Sequence, residues 1–79
     1  MATKQIEINR ALNGEGCLGK AHPDEPVFVL RGQDLHAPYA VRQWAEAAAV
    51  MLGRDHPKVL EAIQCARTME QWPNRKLPD

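Results

Sequence analysis

Pro26-Val27-Phe28-Val29-Leu30-Arg31 holds four consecutive apolar residues, two of them β-branched and one aromatic, behind a proline. Such a run favours a strand, and proline fits a strand's first residue, where no ladder hydrogen bond has to be donated. Apolar side chains on both faces predict that both faces are covered. Upstream, Lys4-Gln5-Ile6-Glu7-Ile8-Asn9-Arg10 alternates in polarity and places Ile6 and Ile8 on one side of a shorter strand. Residues 13–25 lie between the two and contain Gly14, Gly16, Gly19 and Pro23, so they read as a long loop.

Downstream the period changes. Gly32 ends the apolar run, and Pro38 suits the first turn of a helix, where its missing N–H costs nothing. Ala37, Val41, Trp44, Ala48 and Met51 recur at three- and four-residue steps and predict the inward face of that helix. Gly53 is placed to stop it. A second helix is expected from Asp55-His56-Pro57, capped by Asp55 or His56, burying Val59, Ala62, Ile63, Ala66 and Met69 and ending at Trp72-Pro73. A short turn makes the two an antiparallel αα-hairpin.

The order strand, loop, strand, helix, helix predicts a single small α+β domain over residues 1–73: a short two-stranded antiparallel sheet followed by an αα-hairpin packed on one face. Residues 74–79 are expected to be a flexible tail. A two-stranded sheet is weak by itself. That weakness, with an apolar second strand, predicts a homo-oligomer.

Bulk composition narrows the function classes. The chain has 79 residues, with ten acidic side chains balancing ten basic ones. No net field draws it to nucleic acid or to an anionic membrane. Two cysteines, Cys17 and Cys65, are too few for a disulfide scaffold and predict reduced thiols. The residues after Met1 lack an apolar leader pattern, and the longest apolar stretch, residues 47–52, is far short of a membrane span. A cytoplasmic protein is expected.

One run suggests a specific chemistry. Gly14-Glu15-Gly16-Cys17-Leu18-Gly19-Lys20 has the spacing of a glycine loop that cradles phosphate, with a lysine at its end. It leads through His22-Pro23 towards the apolar run instead of opening a helix, which argues against a dinucleotide fold, and it lacks the spacing of a P-loop. The plainer reading is a connection that uses glycines to turn. A second cluster, Arg31-Gly32-Gln33-Asp34-Leu35-His36, stands where a strand's end meets a helix start. Arg31 suits a phosphate, Gln33 and Asp34 suit a base edge or sugar hydroxyl, and Tyr39 can stack on a base. The plainer reading has Asp34 stabilising the turn and Arg31 on the surface.

Other chemistries find less support. His22, His36 and His56 match no zinc spacing with the cysteines, so no metal or cofactor is expected. Cys17 with His22 lacks the surroundings of an activated nucleophile, which favours a non-enzyme. The two helices with Arg54, Lys58 and Arg67 are meagre for a DNA-binding regulator. Trp72 stands between closing the core and contacting a partner.

The block Glu25-Pro26-Val27-Phe28-Val29-Leu30-Arg31-Gly32-Gln33-Asp34, with Ala37-Pro38, Val41 and Trp44-Ala45 behind it, resembles small orphan proteins of phages and prophages. That resemblance assigns no functional residue. It implies a protein that works by binding, such as one that sequesters a nucleotide signal of host defence or occupies a host protein surface. Two expectations follow. In the first, Gly14, Gly16, Gly19, Lys20, Arg31, Gln33, Asp34 and Tyr39 form a site for a nucleotide or other phosphate-bearing small molecule. In the second, the protein is an inhibitor or adaptor that contacts a host protein through Trp72 and the helical hairpin.

Overall fold

Thr3 starts the first element. In the computed structural model, which describes residues 2–77, its hydroxyl accepts from the Ile6 amide at 3.2 Å and caps helix α1 (Lys4–Leu12). Glu7 in the first turn and Arg10 in the last complement the helix dipole, and Gln5 bonds to Asn9 one turn on at 3.0 Å. These local terms outweigh the alternation of Ile6 and Ile8, which sit about 40% exposed on the helix surface (43% and 41%). The strand expected there is absent.

The end of α1 explains the first glycine. Asn13 is the C-cap, the Gly14 amide donates to the Ala11 carbonyl at 3.0 Å, and the Glu15 amide donates to Arg10 at 2.8 Å. Those two bonds make a Schellman motif, which needs a left-handed residue at the first position past the cap. Gly14 supplies it with φ of 70°. The chain then folds back into a one-turn helix, α2 (Gly16–Lys20), packed against α1.

Two longer helices follow. Helix α3 (Ala37–Leu52) carries Pro38 in its first turn and ends at Gly53, whose amide donates to Ala49 at 2.9 Å. Helix α4 (Pro57–Glu70) is capped by His56, whose Nδ1 accepts from the Lys58 amide at 3.1 Å. The two pack together, and an ion pair from Arg42 near the start of α3 to Glu70 at the end of α4 shows them antiparallel.

On α4 the shared face is the expected one, with Val59 and Ala66 buried and Ala62, Ile63 and Met69 half-buried; on α3 Ala37 is buried as expected, but Trp44 and Met51 are not. The buried apolar residues are Ala37, Ala45, Val59 and Ala66, with Pro38 beside them. Trp44 is 54% exposed and Met51 85% exposed. Alanines let two helix backbones approach closely, so the small side chains of α3 form the seam and the bulkier ones turn outward.

The α+β expectation is therefore corrected: among the described residues the fold is helical, with no strand and no sheet. Residues 25–31 run without helix, turn or bend. A strand exists only as one of a pair, and with Ile6 and Ile8 on α1 this segment has no mate among the described residues. Val27, Phe28 and Val29 are 53%, 86% and 72% exposed. The covering expected on both faces is not supplied by the described residues.

Past α4 the chain turns back to α3. The Leu35 amide donates to the Lys76 carbonyl at 2.9 Å, and the Lys76 amide donates to Gln33 at 2.8 Å, forming an isolated parallel bridge between Asp34 and Lys76. The Arg75 guanidinium donates to the carbonyls of Asp34 and Leu35 at 3.2 and 3.4 Å. Within the expected tail over residues 74–79, Pro78 and Asp79 lie outside the described residues, as does Met1 of the expected domain. No helix among the described residues is long and apolar enough to cross a membrane.

Candidate functional site

Three helices each turn a pair of residues spaced by three into one open cleft of about 340 Å³. Glu7 and Arg10 come from α1, Cys17 and Lys20 from α2, and Lys58 and Glu61 from α4, with Gly16 completing the lining. The α1–α2 pair and the α3–α4 pair form no helix-to-helix packing with one another among the described residues, so polar side chains fill the seam between them. Gly16 is buried beneath this group: a Cβ there would lie 3.4 Å from a Glu7 carboxylate oxygen and 3.5 Å from the Arg10 side chain.

Three cations against two carboxylates leave the cleft with one positive charge in excess. Arg10, Lys20 and Lys58 form no ion pair with a described residue. The opening to solvent weakens each charge, because exposed groups are screened within about 8–10 Å at ordinary salt.

The residues expected to bind a phosphate-bearing ligand divide between two places. Gly16 and Lys20 line the cleft; Arg31, Gln33, Asp34 and Tyr39 do not. Gly14 ends α1, and Gly19 lies against it, where a Cβ would come within 2.7 Å of the Gly14 carbonyl carbon. Asp34 accepts from the His36 amide at 2.7 Å through its carboxylate and holds the turn into α3, while its own amide donates to Arg31 at 3.0 Å. Tyr39 is 69% exposed on α3. Trp72 is 54% exposed and stands beside Gly32, whose added Cβ would lie 3.8 Å from the tryptophan Cβ.

Arg10, Lys58, Glu7 and Glu61 were not foreseen as cleft residues. A signal for Arg10 was present in Asn13-Gly14, since a Schellman stop there folds Lys20 back towards the last turn of α1. Lys58 and Glu61 arrive through tertiary placement and have no local signature.

The two thiols are free and differ in setting. Cys17 is exposed at the cleft, whereas Cys65 is partly buried on α4, where burial and then the nearby Glu61 carboxylate push its thiol pKa up. Since the thiolate is the reactive form, Cys65 is expected to stay protonated at neutral pH. A thiol-exchange reagent at pH 8, followed by peptide mass analysis, should label Cys17 first. Labelling of Cys65 first would contradict this placement. Among the described residues no group of three or more His, Cys, Asp or Glu side chains is placed to hold a metal ion.

No protein-family model matches this chain, and neither a curated protein nor a solved structure matches it.

Proposed function

We propose that this chain is a non-catalytic protein-binding module of the inhibitor or adaptor kind. One observation carries the reading: the buried apolar set is four small side chains, while Phe28, Val29, Val50 and Met51 stand at least 72% exposed and Tyr39, Trp44 and Trp72 more than half exposed. So much large apolar surface left in solvent, against so small a buried set, favours an interaction role, in which tryptophan and tyrosine are the usual anchors. A phosphate-binding role rests on Lys20, Arg10 and Lys58 meeting at the cleft, but Glu7 and Glu61 share that space and oppose an anion.

The test pairs capture with a ligand screen. The tagged full chain is expected to retain one protein from a host lysate, and Trp72→Ala is expected to lose it while keeping the wild-type circular dichroism spectrum. Mono-, di- and cyclic nucleotides are expected to leave the thermal midpoint unchanged. A nucleotide present at a hundred times its Kd would instead add about 2.7 kcal/mol, and that result would move the function to the cleft.

A further inference from the structure

The unpaired segment at residues 26–30 is the strongest unexplained feature of the molecule. No backbone group of Val27, Phe28, Val29 or Leu30 hydrogen-bonds to another described residue, so in the single chain this mostly exposed segment leaves its amides and carbonyls open to another partner. Their side chains have the β-branched and aromatic character of a strand interior, and three of the four are more than half exposed. A row of free amides and carbonyls flanked by apolar side chains is a template for another strand.

We propose that this segment pairs with the same segment of a second copy, forming a two-stranded antiparallel ribbon across a two-fold axis at Phe28. This deepens the protein-binding reading and rests on it, by naming one partner and the strand that meets it.

The sequence around the segment is complementary to itself in that register. With Phe28 opposite the second copy's Phe28, Val27 stands opposite Val29, Pro26 opposite Leu30 and Glu25 opposite Arg31. Each end of the ribbon then carries one acid–base pair. Arg31 has no side-chain partner among the described residues, and Glu25 uses one carboxylate oxygen to accept from the His22 amide at 3.1 Å, leaving the other free.

Proline decides which pairs exchange hydrogen bonds. Positions in an antiparallel ladder alternate between hydrogen-bonded and non-hydrogen-bonded pairs. Pro26 has no amide hydrogen, so its pair with Leu30 must be non-hydrogen-bonded. Counting two positions inward, the Phe28 pair is also non-hydrogen-bonded, where opposing side chains come closest. The two Val27–Val29 pairs are then the bonded ones, each exchanging two N–H···O bonds. The Glu25 amide is already donated to the His22 carbonyl at 2.9 Å, so the ladder stops there without leaving it unpaired. Sliding the pairing by one residue sets Glu25 opposite Leu30, with Asp24 facing Arg31 in its place, or sets Arg31 opposite Pro26; the Glu25–Arg31 pairs are lost in both.

Why a second copy and not an unrelated sheet edge follows from the charges. A generic edge would supply backbone partners but has no reason to place a cation opposite Glu25 and an anion opposite Arg31 at a separation of six residues. A second copy supplies both at once. The contact is isologous: the edge carrying the Val27 and Val29 backbone groups meets the same edge of the second copy, and the edge carrying those of Phe28 and Leu30 faces outward in both.

Sedimentation of the full chain between 1 and 100 μM tests this. The expected result is a concentration-dependent species of twice the 8.9 kDa chain mass. Glu25→Arg sets two like charges opposite one another at each end, and Arg31→Glu does the same with acids. Each single variant should weaken self-association about tenfold, since cross-strand charge pairs are worth a few tenths to 1 kcal/mol and two are inverted at once. The double variant Glu25→Arg, Arg31→Glu restores the pairing and should return to within about threefold of wild type. Val29→Pro removes an amide from the bonded pairs and should leave only monomer at 100 μM, with the helical circular dichroism retained. A wild-type chain that stays at the monomer mass, or a double variant weaker than either single, overturns the proposal. If the chain is monomeric yet still captures a protein that Trp72→Ala loses, the second copy is wrong and the binding module stands. If it dimerises in this register and captures nothing, the inhibitor or adaptor reading fails and the dimer stands.

Discussion

Ala45→Asp is expected to unfold the α3–α4 hairpin, while Ala47→Asp, the same substitution two residues on, leaves it folded. Ala45 is 3% exposed in the seam between the helices, and two steps around an α-helix turn Ala47 to the exposed side. An aspartate at 45 brings bulk to a seam built from alanines and carries a carboxylate out of water. Arg42, the closest cation along α3, is already paired with Glu70. An unpaired buried carboxylate costs several kcal/mol even after it takes up a proton. A chain of this length has roughly 4–12 kcal/mol in total, and a core of four small residues places it towards the lower end. At 47 the change costs no more than about 0.7 kcal/mol of helix propensity. Circular dichroism at 222 nm and thermal melts separate the two. Equal melts for both variants would mean that α3 packs on a different face.

The contrast between 45 and 47 also shows where the sequence could be read and where it could not. The two long helices announce themselves: Pro38 and Pro57 sit in first turns, Gly53 stops α3, and His56 provides the second cap. The inward face of α3 was harder, because a hydrophobicity pattern puts Trp44 and Met51 inward with Ala37 and passes over Ala45, while close helix approach selects the alanines. Helix α1 was hidden by two isoleucines in alternation. The cap at Thr3 and the charges at Glu7 and Arg10 carry the opposite message, and in a nine-residue helix with no buried residue those end effects decide the outcome. The segment at 26–31 has the residue types of a strand without a strand's pairing, since pairing depends on a second strand that the described residues do not contain. The cleft was half legible. Lys20 was found from its glycines, but Arg10, Lys58 and Glu61 reach it through the packing of separate helix pairs.

The glycines that first suggested a phosphate loop lead to the second large effect. Gly19→Ala is expected to break the packing of α2 on α1 with no ligand involved, because the new Cβ would sit 2.7 Å from the Gly14 carbonyl carbon and 3.3 Å from the Ala11 Cα. Both of those are backbone atoms, which cannot swing aside as a long side chain would. Overpacking of this kind costs about 1–3 kcal/mol. Gly14→Ala acts by another route: nothing lies within 4 Å of its added Cβ, but φ of 70° imposes a left-handed conformation that costs an L-residue about 1–2 kcal/mol. A D-alanine at 14, introduced by chemical synthesis, removes that penalty and should restore wild-type behaviour. At 19 the obstruction is steric, and the backbone conformation asks for no D-residue. Amide hydrogen exchange reads both effects at the Schellman bonds, where the Gly14 and Glu15 amides donate to Ala11 and Arg10. Faster exchange there in Gly19→Ala and Gly14→Ala, with rescue by D-alanine at 14, would identify the glycine pattern as the fold's way of ending one helix and laying the next against it. Unchanged exchange in Gly19→Ala would leave the close approach of α2 to α1 without support and return these glycines to a role in gripping an anion.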